Sequence, residues 1–286
     1  MSKYIYVNGH YLLHDQAFIH VEDRGYQFSD SVYEVIYLYN NHLIDEEGHL
    51  HRLENSLSNI NCTMPVNCNT LKLLIRELIR RNKLLFGLIY IQITRGIAPR
   101  DHKFPLNTKP SLIMSCKKLS YSEILKQQDI GINIITVPDE RWKRCDIKST
   151  MLLPNVLAKQ QAFEQQAFEA IMIDSEGFLT EGTSTNLWIL NKDGILQTHE
   201  ANHKILNGIT RQRLIALIKE KKIPFIEKKF ALHDLQQAKE AFITSTSSMV
   251  KPIIKLNGKS FNNEIIGPMV IYLKQLYLDY VLGQVQ

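Results

Sequence analysis

The sequence predicts an α+β protein of two domains, and three observations carry that expectation. The chain has 286 residues, which fits two modest domains or one large one at roughly 100–200 residues each. Strand-like and helix-like stretches are mixed without strict β-α-β alternation, which disfavours a doubly wound parallel sheet. The polar stretch Lys117-Lys118-Leu119-Ser120-Tyr121-Ser122 separates two such sets and reads as a linker. The expected domains are therefore a smaller one over 1–119 and a larger one over 120–286.

The first set opens with a hairpin. Tyr4-Ile5-Tyr6-Val7 and Tyr11-Leu12-Leu13 flank Asn8-Gly9, a pair that tolerates positive φ. Val32 to Tyr39 is a strand whose alternation puts Tyr33, Val35, Tyr37 and Tyr39 on one face. Asn40-Asn41 turns it into His42-Leu43-Ile44. Leu71, Leu74, Ile75, Leu78 and Ile79 recur at helical spacing, with Lys72, Arg76, Arg80 and Arg81 opposite. Leu88 to Thr94 is rich in β-branched residues and reads as a strand.

In the second set, Gly131 to Val137 is a strand closed by Pro138, and Pro154 starts a helix that Asn155 to Gln166 continues. Ala170 to Asp174, Asn186 to Leu190 and Ile195 to Thr198 are short strands, separated by turns at Ser175-Glu176-Gly177 and Lys192-Asp193-Gly194. Ile209 to Lys221 is a helix with Leu214, Leu217 and Ile218 inward, and Pro268 to Leu282 is a last amphipathic helix.

Composition narrows the function classes. The hydrophobic fraction is 44% and the charged fraction 22%, as in globular rather than disordered chains. Lys and Arg number 34 against 29 Asp and Glu, a net charge of +5. That excess is too dispersed to argue for nucleic acid. Cys62, Cys68, Cys116 and Cys145 form no C-x-x-C pair, so no zinc or redox motif is present, and free thiols in a reducing cytosol are expected. The polar start at Met1 to Ile5 reads as no signal peptide. No apolar run nears the ~18 residues of a membrane span. A cytoplasmic protein is expected.

Four clusters could carry chemistry. Arg141-Trp142-Lys143-Arg144-Cys145-Asp146-Ile147-Lys148-Ser149 concentrates cations around a lysine. Neighbouring cations and burial lower a lysine's pKa and suit it to imine formation; the same run fits a solvated basic loop. Thr180-Glu181-Gly182-Thr183-Ser184-Thr185-Asn186 suits a polar ligand needing many hydrogen bonds, or an ordinary hydroxyl-capped turn. Leu206-Asn207-Gly208-Ile209-Thr210-Arg211 precedes a helix, where backbone N–H groups can meet a phosphate. Phe242-Ile243-Thr244-Ser245-Thr246-Ser247-Ser248 is its hydroxyl-rich companion; a plain cap and an edge strand are the alternatives. In Thr94-Arg95-Gly96-Ile97-Ala98-Pro99-Arg100-Asp101-His102, Arg100 and His102 point the same way if the segment is extended. They could clamp a carboxylate or merely decorate the surface.

Taken in order, these clusters resemble the class IV (fold type IV) pyridoxal-phosphate aminotransferases, and within them the D-amino-acid-specific branch. The resemblance runs from Asp23-Arg24-Gly25-Tyr26-Gln27-Phe28 through Val32-Tyr33-Glu34-Val35, the Arg52-Leu53 helix, Arg100-Asp101-His102 and Cys145-Asp146-Ile147-Lys148-Ser149. It continues through Glu181 to Asn186, Leu196-Gln197-Thr198 and Leu206 to Arg211, nearly the whole chain. It implies the two-domain α+β fold of that family, with the cofactor lysine in the larger C-terminal domain. It also implies pyridoxal 5'-phosphate as cofactor, and amino acids and 2-oxo acids as substrates.

The resemblance also assigns residues. Lys148 matches the lysine that holds the cofactor as an imine and shuttles the proton. Glu181 matches the carboxylate on the pyridine nitrogen, and Arg52 an arginine on the phosphate. Ile209 and Thr210 match backbone donors to that phosphate, Thr246 a further contact, and Leu206 the residue packed on the ring. Tyr33, Arg100 and His102 match the substrate-carboxylate trap, in which the arginine and histidine come from the partner subunit, so a homodimer is implied. Arg100 with His102 favours the D-specific reading over branched-chain L-amino-acid aminotransferases and aminodeoxychorismate lyases, which share the Lys148 and Glu181 features. A non-catalytic protein of the same fold would not need Lys148.

Three departures from the family pattern stand out. Ser29-Asp30-Ser31 replaces Gly-Asp-Gly, so side chains stand where the pattern has bare backbone. Trp188 replaces a Phe or Tyr, which keeps an apolar ring. Thr183 and Thr185 replace serines and keep the hydroxyls.

Overall fold

A computed structural model describes residues 3–120 and 130–285; Tyr121 and Ser122 of the expected linker lie outside them. Two compact units emerge from the contacts. One is residues 3–120 with Ile147–Met151, and the other is residues 130–146 with Leu152–Gln284.

In the first unit, β1 (Tyr4–Val7) and β2 (His10–Leu13) form the expected hairpin. Its turn puts Asn8 at φ 46° and Gly9 at φ 99°, a backbone that asparagine tolerates and glycine adopts without strain. A short helix, α1 (Arg24–Phe28), is capped by the Asp23 side chain and ends at Ser29, which is left-handed at φ 55°. β3 (Ser31–Tyr39) buries Val32, Glu34, Ile36 and Leu38 on its inward face. β4 (His42–Leu43) follows across the Asn40-Asn41 turn.

α2 (Glu46–Asn59) buries His49, Leu50, Leu53, Ser56 and Leu57, a one-face helical spacing that includes two polar residues. α3 (Cys68–Asn82) buries Leu71, Ile75, Leu78 and Ile79, as its periodicity predicts. β5 (Gly87–Thr94) and β6 (Ser111–Lys118) complete an antiparallel sheet ordered β2-β1-β6-β5-β3-β4. Lys117 and Lys118, expected in the linker, instead end β6 and pair with Leu88 and Gly87.

The Lys148 segment belongs to this first unit, whereas the sequence reading put that lysine in the larger C-terminal domain. The difference has a backbone cause. Tyr33 N–H donates to Lys148 O at 3.0 Å, Thr150 N–H donates to Ser31 O at 3.1 Å, and Val32 bridges Ser149. The segment thus occupies the open edge at the start of β3, which no sequence period announces.

The second unit is a mixed sheet. Its strands are β7 (Ile132–Pro138), β8 (Glu169–Ile173), β9 (Phe178–Gly182), β10 (Asn186–Leu190), β11 (Leu196–Thr198), β12 (Phe225–Glu227), β13 (Phe230–Ala231), β14 (Glu240–Ser245), β15 (Met249–Leu256) and β16 (Lys259–Ser260). Their order is β12-β11-β10-β14-β15-β7-β8-β9-β13, with β16 paired to β15 off this path. Parallel pairs β15/β7, β7/β8 and β11/β12 sit among antiparallel ones.

Three longer helices accompany this sheet. α4 (Leu153–Glu164) carries Pro154 in its first turn, and its Ala158 and Ala162 pack with Ile135, Val137, Ala170 and Met172. α5 (Ile209–Glu220) buries Leu214, Leu217 and Ile218 as predicted. α6 (Pro268–Gly283) has its first N–H groups capped by the buried Glu240 carboxylate. Among the described residues, no helix is long and apolar enough to cross a membrane.

Candidate active site

Each unit assembles its own group of chemistry-bearing residues. In the first, Lys148 is half-buried and its Nζ lies 4.3 Å from the centroid of the Tyr33 ring. Its backbone N–H donates to Ser56 Oγ of α2 at 3.4 Å. Tyr33 stacks on Tyr90, with ring centroids 5.6 Å apart. These two tyrosines come from adjacent strands, β3 and β5.

Beside this pair lies a buried charge cluster. Glu34 has no exposed surface. It accepts from Arg52 Nε at 2.7 Å, from Arg52 Nη2 at 2.9 Å and from His49 Nδ1 at 2.7 Å. Burial pushes the Glu34 carboxyl up, but the Arg52 charge and the hydrogen bonds from Arg52 and His49 outweigh it and hold the pKa at about 2. Burial is the main influence on His49 and lowers its pKa. The Glu34 contact works against this, while the Arg52 and Lys148 charges add to it. Arg52 is therefore oriented by a carboxylate from the neighbouring strand, a two-toothed geometry that locks the guanidinium plane.

Arg100 and His102 are exposed and come together on one ring. The Arg100 guanidinium lies 4.7 Å from the Phe28 centroid, and the His102 ring is 5.4 Å from the same centroid. Tyr33, grouped with them by the resemblance, packs on Tyr90 instead. Arg24 and Arg95 share the Asp30 carboxylate nearby, and Arg24 Nη1 donates to Asp101 O at 2.6 Å. That bond ties the Arg100–His102 loop to α1.

In the second unit the centre is Glu181, buried near the end of β9. Arg141 Nη1 and Leu206 N–H donate to its Oε1, and Asn186 Nδ2 donates to its Oε2 at 3.1 Å. Arg141 is itself gripped by Asp139 through two hydrogen bonds. Burial opposes the Arg141 charge, but Glu181 and Asp139 outweigh it and raise its pKa further. Glu181 thus sits in a fixed salt-bridge network as an oriented carboxylate.

Asn186 links this carboxylate to a helix start. Its Nδ2 also donates to Leu206 O at 2.9 Å, and a Cβ built at Gly208 would overlap its Oδ1. Gly208 is the N-cap of α5 and brings no side-chain cap, so Ile209 and Thr210 begin a helix whose end charge favours an anion. Asn186 pairs with Thr244 of β14, two residues before Thr246 in the turn that follows. Glu181, Leu206, Ile209, Thr210 and the Thr246 turn thus converge through the ends of β9, β10 and β14. On the far side of β9, buried Glu169 holds Thr183 Oγ1 at 2.5 Å and Thr185 Oγ1 at 3.1 Å, fixing the bend that leads to Asn186.

Sequence reasoning missed several of these contributors. It counts Arg141 only as one cation in a run and gives no role to Glu34, His49 or Asp139. Glu34 carried a readable signal, since it falls on the face of β3 that otherwise bears only Val32, Ile36 and Leu38. A carboxylate there needs a partner. Nothing in the order of residues points Arg141 at Glu181, 40 positions away.

Comparison with known proteins agrees with this architecture. The family model for class IV amino-transferases matches residues 31–256. The D-alanine aminotransferase of Staphylococcus haemolyticus is 39% identical over 281 residues, 98% of each chain. That of Listeria monocytogenes serotype 4b (strain F2365) is 38% identical over 279 residues, 97% of this chain and 96% of the relative. Among solved structures, the branched-chain aminotransferase of the thermophilic archaeon Thermoproteus uzoniensis, with norvaline, superposes with a TM-score of 0.87. It is 24% identical, and the match covers 99% of this chain and 96% of that one. The PLP-bound form of a hypothetical aminotransferase from Mycobacterium tuberculosis gives 0.83 at 16% identity, covering 98% and 99%. The fold expected from the sequence, two-domain α+β of fold type IV, is the fold observed, and the chain belongs to the class IV amino-transferase family.

Proposed function

We propose that this chain is a pyridoxal-phosphate-dependent aminotransferase that moves an amino group between a D-amino acid, of the D-alanine or D-glutamate type, and a 2-oxo acid. The observation that carries this is the near-full-length identity of 39% to D-alanine aminotransferases. The residues present fit the cofactor. The chain offers an amine (Lys148), an oriented buried carboxylate (Glu181) and a helix start without a side-chain cap, where Gly208 leaves no room for a Cβ. These match an aldehyde, a pyridine nitrogen and a phosphate in turn.

Bound pyridoxal phosphate supplies the electron sink that lets a Cα–H bond ionise. The protein residues do the rest. Lys148 Nζ would tether the cofactor through its aldehyde carbon and, as a free amine, would take up and return the proton at the substrate's Cα. One mobile amine on one face can serve both as tether and as proton carrier. Glu181 would accept the ring N–H and favour the protonated nitrogen, while Arg141 and Asp139 hold Glu181 in place. By the resemblance, Arg52, the N–H groups of Ile209 and Thr210 and the Thr246 hydroxyl would bind the phosphate, and Leu206 would pack on the ring. Tyr33, with Arg100 and His102 of a second subunit, holds the substrate carboxylate.

A homodimer belongs to the same proposal. Its support is the exposure of Arg100 and His102 and of apolar side chains of the same unit such as Phe18 (78%) and Leu106 (91%), since large exposed apolar side chains mark surfaces that pair. Four free thiols fit a reducing compartment, and a cytoplasmic location is proposed on that account.

The direct test supplies D-alanine and 2-oxoglutarate and follows pyruvate, with L-leucine as the competing donor. D-alanine is expected to be the better donor, and Lys148→Ala is expected to lose turnover because tether and proton shuttle go together. Preference for L-leucine would hand the site to the branched-chain reading.

A further inference from the structure

We propose that Ser31 and Thr150 are a positioning pair that fixes the main chain just after Lys148, on the reading above that Lys148 tethers the cofactor. Ser31 is buried, with 1% of its surface exposed. Its Oγ lies 2.5 Å from Thr150 Oγ1, and its backbone O accepts the Thr150 N–H at 3.1 Å. Side chain and backbone thus close on Thr150 together, two residues after Lys148.

The donors and acceptors form one directed chain. Tyr90 OH donates to Gln92 Oε1 at 2.8 Å, and Gln92 Nε2 donates to Ser31 Oγ at 3.2 Å. Thr150 Oγ1 donates to Ser29 O at 3.4 Å. A hydroxyl carries one hydrogen, so Thr150 spends its own on Ser29 and Ser31 donates to Thr150. Burial, with Tyr33 beside it, pushes the Tyr90 hydroxyl up to about 12, so it stays a donor at working pH. The chain begins at the ring that stacks on Tyr33, over which the Lys148 amine lies. It ends at the turn before β3.

The consequence concerns geometry during turnover. As both tether and proton carrier, Lys148 would need its side chain to swing while its main chain keeps its place. Small misplacements of a reacting group are costly to rate. Ser31 stands where the family pattern has glycine, and glycine has no hydroxyl, so this side-chain link belongs to the serine.

Thr150→Val, Thr150→Ser, Ser31→Ala and the double variant Ser31→Ala/Thr150→Val test the pair as holoenzymes. Three readouts are taken: kcat and KM for D-alanine, amide hydrogen exchange of the peptide spanning 147–151, and the residue labelled when borohydride fixes the cofactor. Loss of the hydrogen bond from Ser31, with the longer one to Ser29 O, predicts about 3- to 10-fold faster exchange and a similar fall in kcat for Thr150→Val, with KM nearly unchanged. Thr150→Ser is expected to match the wild type. The double variant is expected to fall clearly short of the sum of the single effects, since the Ser31–Thr150 bond they share is lost only once. Unchanged exchange and kcat in Thr150→Val, additive single effects, or a Thr150→Ser as impaired as Thr150→Val would each overturn the pair. Label on a lysine other than Lys148 would overturn the cofactor reading itself. Label on Lys148 with unaltered exchange would sink only the positioning role.

Discussion

Glu34 has no exposed surface, and its carboxyl is held at about 2 against an ordinary 4.5. A depressed carboxylate pKa favours the charged, folded form. Its contribution, roughly 3 kcal/mol at about 1.4 kcal/mol per unit, is complete above pH 4.5 and lost as pH falls toward 2. His49 is lowered from 6.5, so the folded state prefers it neutral; its contribution is complete above 6.5 and declines as pH drops below that. Urea midpoints are therefore expected to fall from near pH 6.5 downward, and His49→Gln should flatten the upper part of that decline. A wild-type profile level from pH 6.5 down to 4.5 would contradict the His49 shift, and one level from pH 4.5 to 2 the Glu34 shift. Arg52→Ala leaves Glu34 buried without its cation and should cost about 3–5 kcal/mol, measured by urea unfolding without cofactor. Lysine should restore little of that, because the two-toothed fork is lost. Ser29 offers the opposite sign. It is left-handed at φ 55°, where a side chain is strained, so Ser29→Gly is expected to stabilise by about 0.5–1 kcal/mol.

At the scale of elements, the second group depends on three strand ends and one helix start meeting. Asn186 begins β10, Glu181 lies near the end of β9, and Gly208 caps α5. Gly208→Ala would drive its Cβ into Asn186 Oδ1, and the amide that steadies both Glu181 and Leu206 would have to move. Overpacking of this kind costs about 1–3 kcal/mol. Cofactor affinity should fall with it, read as a weaker visible absorbance band at equal added pyridoxal phosphate. Affinity equal to the wild type would show that Asn186 is not needed there. The elements themselves were legible to different degrees. α3, α5 and β3 carry clear periods and appear where those periods predict. β9 does not: Thr180 to Gly182 is polar and reads as a turn, yet it forms a buried strand because Asp139, Arg141 and Asn186 satisfy its side chains from elsewhere.

For the whole molecule, the testable matter is assembly. If Arg100 serves the site of a second subunit, a Lys148→Ala chain and an Arg100→Ala chain can complement each other. Mixed at equal amounts with free exchange, half the dimers are hybrids with one intact site each, so about a quarter of wild-type activity should return. Light scattering should report a dimer for every sample. No recovery in hybrids verified by mass would place Arg100 in the same chain as the lysine it serves, or outside the site.

The sequence by itself determined the fold class and most of the helices and strands, and it singled out the side chains proposed to react. Those properties reside in local periodicity and in residue types whose chemistry does not depend on neighbours. Only the tertiary structure decided that the Lys148 segment joins the first unit along the edge of β3, that Arg52 is aimed by Glu34, and that Arg141 faces Glu181. Each of these is a contact between residues far apart in the chain. Such contacts are set by strand register and by the cost of burying an unpaired charge, and neither leaves a period in the sequence.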